Sequence, residues 1–505
     1  MEFTRSGKFN RTSTTTNTTT NETLSTYGFY GSALIYTATS TDKTLNGSDE
    51  NEAFIYDLTL NGTNALRFSG FTDFNAGGGD DIMDFTVRPA NVGKEYATTA
   101  KVSGGLGNDV IWTAGAKLTI VYGDYQTMSG SSSTDMVQGG NDIIDLSAAT
   151  AATTTYGDGA TLNWAKGGND TITGTKAGEY LYGDGGMATL ANATATGGDD
   201  IIYGKAGADN IYGEGVGLAN ISGATGATAI GGNDILYAYD ATTIGTDADN
   251  IYGDAANMAV QSSTTVIGGN DGIYGSNGGN MLYGDGTTVA SGTDSTFTGG
   301  ADTIYGRGGG DSIYGDGFSG ATASGSKATG GNDILYGDDG DDAIYGDFSN
   351  VGHLTLSSTA SGGNDSLYGG AGADSLVGDA GGTRAGLTMT CGNDRLDGGA
   401  GNDQLYGDIS TTASGTITGG NDTFVFQPGS GADTIFDFGQ SAGSATGDDL
   451  IDVSAYGYTS FADLTISNNG TATVTVTFSG SNSVKVQNKA NTALTLDASD
   501  FIFAA

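Results

Sequence analysis

Residues 330 to 347 read GGNDILYGDDGDDAIYGD. Two Gly-rich, Asp-bearing turns alternate with two apolar runs, ILY (334 to 336) and AIY (343 to 345), that start nine residues apart. Runs this short between glycine turns cannot be helices and read as strands. The pattern recurs through the chain. A block of the form Gly-Gly-(Asn/Asp/Ala)-Asp, or a near variant, begins at Gly78, Leu106, Gly139, Gly167, Gly197, Gly231, Gly268, Gly299, Gly330, Gly362, Cys391 and Gly419. These are twelve registers spaced 28 to 37 residues apart, the signature of a repeat architecture.

Most periods share one layout. The block leads into a short strand ending in Tyr-Gly, such as IIYG (201 to 204). A second acidic turn places its Asp nine residues after the first, as in Asp302 and Asp311 or Asp333 and Asp342. Another Ile-Tyr-Gly-Asp follows. A third segment rich in Thr, Ala and Ser closes the period, such as VASGTDSTFT (289 to 298) or HLTLSSTAS (353 to 361). The expected fold is all-β, a parallel β-solenoid of about twelve coils with identical positions stacked about 4.8 Å apart. The Ile and Leu before each Tyr point inward in this reading, and glycines supply the positive φ of tight corners. The third segment is expected to add one strand per coil, or a long arch.

Composition agrees. The 505 residues include 90 Gly but 2 Pro, and 58 acids against 18 bases give a formal charge of −40. Such acidity disfavours nucleic acid and anionic membranes as partners and favours cations. One Cys (Cys391) excludes an intrachain disulfide and a zinc–thiolate cluster, and one His (His353) excludes any site needing two imidazoles. No run of 18 apolar residues is present, so no membrane-spanning helix is expected. The N-terminus has no apolar region of the secretory type.

Stacking in register puts each turn Asp over its copy in the next coil. Like charges about 5 Å apart repel and call for a counter-ion between them. Carboxylates with turn carbonyls are hard oxygen ligands suited to Ca²⁺. The expected metal ligands are the first-turn residues Asp81, Asp109, Asp142, Asp170, Asp200, Asp234, Asp271, Asp302, Asp333, Asp365, Asp394 and Asp422, with the second-turn residues Asp209, Asp249, Asp311, Asp342, Asp374 and Asp403. Glu179 and Asn280 stand where Asp is expected, and the coil from Gly231 carries an insertion before Asp249. Up to about eighteen Ca²⁺ would bring a charge close to that of the excess acid.

The units GDDGDDAIY (337 to 345), GRGGGDSIY (306 to 314) and GGAGADSLV (369 to 377) resemble the GGxGxDxUx nonapeptide of the RTX, or haemolysin-type, calcium-binding repeat family. That resemblance implies a calcium-filled parallel β-roll, in which the sixth-position Asp binds by its side chain and the turn glycines by their carbonyls. The period departs from the family's 18-residue coil through the added third segment. Residues 421 to 505 contain less Gly and more alternating strands. They resemble the C-terminal region of serralysin-like RTX proteins, which implies an uncleaved type 1 secretion signal near DASDFIFAA.

The expected organisation is a Thr-rich tail (1 to 27), an N-terminal β cap (28 to 77), the solenoid (78 to 435), and a C-terminal cap with secretion region (436 to 505). The cap would cover open strand edges. Catalysis is not expected. There is no HExxH, and GQSAG (439 to 443) has no visible helix and lies far from the one His, unlike a nucleophile elbow. The Gly-rich turns precede no helix, unlike phosphate loops. Cys391, in place of the block's first Gly, is either a tolerated small residue or an engaged thiol. The Tyr ladder either covers the sheet or forms a contact surface. The expected role is a secreted, calcium-dependent structural protein of the bacterial cell surface, a self-assembling subunit of a surface layer or filament. It would partner itself, with cell-surface polysaccharide as a second candidate, and leave by a type 1 route without an N-terminal signal peptide. The alternatives are a calcium-dependent adhesin or secreted effector, and after those a polysaccharide-modifying enzyme.

Overall fold

The computed structural model describes residues 3–5, 28–29 and 35–505, apart from 61–62, 114, 150, 221–224, 240–244, 353–356, 412–414 and 441–446. Most of the Thr-rich tail, His353 and the serine of GQSAG lie outside the described residues.

The fold is a parallel β-solenoid of about thirteen turns, one more than the blocks alone predict. The coil that starts at Gly299 shows its plan. Strand Thr303–Tyr305 belongs to a first sheet, Ser312–Tyr314 to a second, Gly317–Gly320 to a third and Lys327–Thr329 to a fourth. Each pairs in parallel with its copy one coil on, so that Thr303 lies beside Ile334, Ser312 beside Ala343, Gly317 beside Phe348 and Lys327 beside Thr359. Among the described residues the first sheet has 16 strands, the third 9 and the fourth 10.

In the three-residue strands of the first two sheets the middle side chain faces in. Ile304, Ile313, Leu335 and Ile344 are fully buried in one continuous core. The third segment corrects the expectation of one strand or an arch, because it forms two strands. It leaves the roll after Asp316 and must return to Gly330 beside it, so it runs out as one strand and back as another. Between these two strands lies a second core, with Val289, Phe297, Phe348 and Val351 buried. Each coil that carries both outer strands is therefore a figure of two lobes joined at a neck.

The tyrosines form two ladders. On the first sheet Tyr203, Tyr237, Tyr274, Tyr305, Tyr336 and Tyr368 stack with ring centroids 4.7 to 5.2 Å apart. On the second sheet the ladder sits at the seam with the third, where Tyr283 and Tyr314 are buried and Phe318 meets Tyr314 edge-on.

The end segments join the same stack. Glu52–Ile55 pairs in parallel with Ile82–Asp84, and Thr44–Ser48 with Asp73–Gly78. An aromatic plug of Phe54, Phe68, Phe74, Phe85 and Tyr96 fills the N-terminal end of the first core. Phe3–Arg5 pairs antiparallel with Asp57–Leu60 of its own chain. At the other end Leu450–Asp452 and Phe501–Ile502 extend the first sheet beyond residue 435. An antiparallel meander of Thr465–Ser467, Val474–Thr477 and Ser483–Val486 closes the second sheet.

Candidate metal centre

The first-turn acids form one unbroken ladder. Each Oδ1 accepts a hydrogen bond from the backbone N–H of the corresponding Asp one coil earlier, from Asp81 to Asp109 at 2.6 Å through to Asp422 to Asp449 at 3.0 Å. The second-turn acids repeat the arrangement. Asp311 N–H donates to Asp342 Oδ1 at 2.7 Å, and Asp342 N–H to Asp374 Oδ1 at 2.9 Å. All eighteen Asp residues expected as ligands are buried, and the Oδ2 of every one has no hydrogen-bond partner. A buried carboxylate oxygen without a partner is costly unless a cation meets it. One oxygen thus holds the neighbouring coil, and the other is left for a metal.

The backbone supplies the complement. A β-carbon at Gly337 would lie 2.4 Å from Asp342 Oδ2 and 2.6 Å from the Gly369 carbonyl oxygen. At Gly306 the corresponding distances, to Asp311 Oδ2 and the Gly337 carbonyl, are 2.4 and 2.8 Å. A point flanked by a carboxylate and a carbonyl oxygen at such distances lies near the Ca–O range of about 2.3–2.6 Å. The glycines are required because a side chain would fill that point.

Electrostatics agree. Burial, before any other cause, pushes the carboxyls up, with Asp342 at about 6, Asp311 at about 7, Asp81 at about 8 and Asp209 at about 9. Neighbouring carboxylates add to the shift. Between Asp302 and Asp333 of the first-turn ladder both causes act, and Asp302 lies well above the usual range.

A third column of acids was not among the expected ligands. Asp124, Asp158, Asp184, Glu214, Asp254, Asp285, Asp316, Asp347, Asp379 and Asp408 follow the second strand and sit at the neck, all buried. Each closes the neck by accepting from the second glycine of the following block. Gly331 N–H donates to Asp316 Oδ1 at 3.0 Å, and Gly363 N–H to Asp347 Oδ1 at 2.8 Å. In two registers the neck acid comes close to first-turn acids. Carboxylate oxygens of Asp109, Asp124 and Asp142 lie within 4.8 Å of one another, as do those of Asp158, Asp170 and Asp184. The recurrent Tyr-Gly-Asp was the available signal, and its Asp lies outside the nonapeptide frame.

Two second-turn positions depart from Asp. Asn280 Nδ2 donates to the Gly278 carbonyl at 2.8 Å, to Asp311 Oδ1 at 3.0 Å and to the Ser276 carbonyl at 3.2 Å. The amide thus reaches turn carbonyls and the ladder oxygen of Asp311, while Asp311 Oδ2 stays without a partner. Glu179, one methylene longer, turns Oε1 back to Thr175 N–H, while Oε2 has no partner. At the C-terminal end Lys489 donates to the Ile409 carbonyl, and its charge acts on Asp437 and Asp408.

The family model described as the RTX calcium-binding nonapeptide repeat matches residues 193–215, 298–319, 327–350, 359–383 and 392–409. The chain carries RTX calcium-binding nonapeptide repeats. RTX nonapeptide repeats bind multiple Ca²⁺ ions, and the partnerless carboxylate oxygens facing glycine carbonyls fit that ion. RTX repeat proteins are typically secreted. Among the described residues no helix is long and apolar enough to cross a membrane. No curated protein matches the chain.

Proposed function

We propose that this RTX protein is a structural subunit of the bacterial cell surface, built and held by calcium and assembling with copies of itself into a surface layer or filament. The carrying observation is the continuous acid ladder from Asp81 to Asp449, in which the carboxylates serve the stack itself. That use of the acids favours a non-enzymatic role. The eighteen expected Asp residues, with the neck acids beside them, are the ligands in this reading. The Asp57–Leu60 strand already accepts an extended segment, Phe3–Arg5, along its edge. The same pairing made with a neighbouring copy would link subunits by strand exchange. The exposed Ile235 and Ile334 beside the first tyrosine ladder offer apolar surface for lateral packing. Cell-surface polysaccharide is a second proposed partner. Export by a type 1 route would use the segment from 436 to 505.

The test is light scattering with negative-stain microscopy in Ca²⁺, on the full chain and on a chain lacking residues 1 to 27. Arrays or filaments from the first and folded monomers from the second are expected. Undiminished assembly of the truncated chain would remove the tail from the model. Monomers from both would favour the adhesin or effector reading.

A further inference from the structure

One register of the neck line differs chemically from the rest. At the first glycine of the two blocks before Cys391, Gly330 and Gly362, any side chain would be aimed between two successive neck acids. A β-carbon at Gly330 would lie 1.6 Å from Asp347 Oδ1 and 2.6 Å from Asp316 Oδ2. At Gly362 the distances, to Asp379 Oδ1 and Asp347 Oδ2, are 1.7 and 2.6 Å. In the next block this position holds Cys391. Its Sγ and one carboxylate oxygen each of Asp379 and Asp408 lie within 4.8 Å of one another, and all three residues are buried.

The two carboxylates are held in place. Asp379 Oδ1 accepts from Gly392 N–H at 2.7 Å and Asp408 Oδ1 from Gly420 N–H at 2.6 Å. The Oδ2 of each has no hydrogen-bond partner. The donor set is therefore one sulfur and two carboxylates, with the Lys489 charge acting on Asp408 to offset the excess negative charge. Ca²⁺ takes oxygen ligands, whereas thiolate selects softer metals. Zn²⁺ accepts both donor types, at about 2.3 Å for sulfur and about 2.0–2.2 Å for carboxylate oxygen.

We propose that Cys391, Asp379 and Asp408 form a site for a thiophilic divalent cation of the Zn²⁺ class, set into a line otherwise made for Ca²⁺. Binding replaces the thiol proton, which leaves to solvent, by the metal, and no redox change is involved. The proposal rests on the reading of the neck line as cation-binding.

The test uses the full chain folded in about 10 mM Ca²⁺, above the weak end of extracellular affinities. Cd²⁺ serves as the spectroscopic probe and Zn²⁺ is followed by equilibrium dialysis. One equivalent of each should bind in excess Ca²⁺, with a thiolate-to-Cd²⁺ charge-transfer band. Both signals should be lost in Cys391→Gly, which restores the residue found in neighbouring blocks, and in Cys391→Ser, which keeps the volume. Absence of the band, equal Zn²⁺ uptake by the variants, or displacement by Ca²⁺ at equal concentration would overturn the site. Calcium stoichiometry in the same samples reports on the neck line separately, so the two readings fail by different measurements.

Discussion

At the scale of single residues, the two oxygens of each turn Asp have separate duties. Asp342→Ala removes both. Asp311 N–H then loses a buried acceptor, at a cost of about 1–3 kcal/mol, and calcium stoichiometry falls by one or two ions. Asp342→Asn keeps Oδ1 for the ladder and puts an amide where the metal would be. It should lose the ion yet retain more stability than the alanine variant, as read by titration calorimetry and urea unfolding. Asn280→Asp is the converse. It removes the donors that reach Gly278 and Asp311, and the protein should gain one Ca²⁺ over wild type. The buried turn acids from Asp81 to Asp422 were legible in the sequence because Asp recurs at fixed offsets from glycine. Asp316 and its equivalents were overlooked for a physical reason. They follow a strand instead of preceding one, and only the closing of the neck brings them against Asp302 and Asp333. Asn280 reads as a decayed site, and the sequence alone does not reveal that its amide donates to the Gly278 carbonyl and to Asp311 Oδ1.

At the scale of elements, the nonapeptide strands announced themselves through Ile-Tyr and Leu-Tyr pairs between glycines. The third segment did not. Its inward residues are sparse and mostly small, such as Ala321 and Ala328 beside Phe297 and Val289, so alternation is weak. What fixes two strands there is closure, since the segment starts and finishes at one neck. The second core depends on its few large side chains. Phe297→Ala should cost about 3–5 kcal/mol. Because coils contact chiefly their neighbours, hydrogen exchange should rise in the coils that flank residue 297 and stay unchanged near the chain ends. A uniform rise along the roll would show that the second lobe is coupled over a longer range.

At the scale of the whole molecule, folding should be set jointly by calcium and pH. The turn carboxyls are raised by burial, with Asp342 at about 6, Asp311 and Asp374 at about 7 and Asp209 at about 9. A raised folded-state value means that the folded chain binds protons more tightly than the unfolded chain. Metal-free stability is therefore greatest below the unfolded value of about 4 and is lost as pH rises through the folded values. In EDTA the β-sheet circular dichroism should persist near pH 4 and vanish between about pH 6 and 9. Calcium should restore it at pH 7, with release of protons on binding. At ten times its dissociation constant each ion adds about 1.4 kcal/mol. A β-signal at pH 7 unaffected by EDTA would contradict this. The acid ladder carries one more consequence. Every rung runs the same way, from an amide in one coil to a carboxylate in the next. A partial stack is thus polar, with bare amide donors on its C-terminal edge and ready acceptors on its N-terminal edge. New coils meet a matching partner at either edge only in one orientation, so growth along the axis is vectorial, and a mirror-image join would set donor against donor.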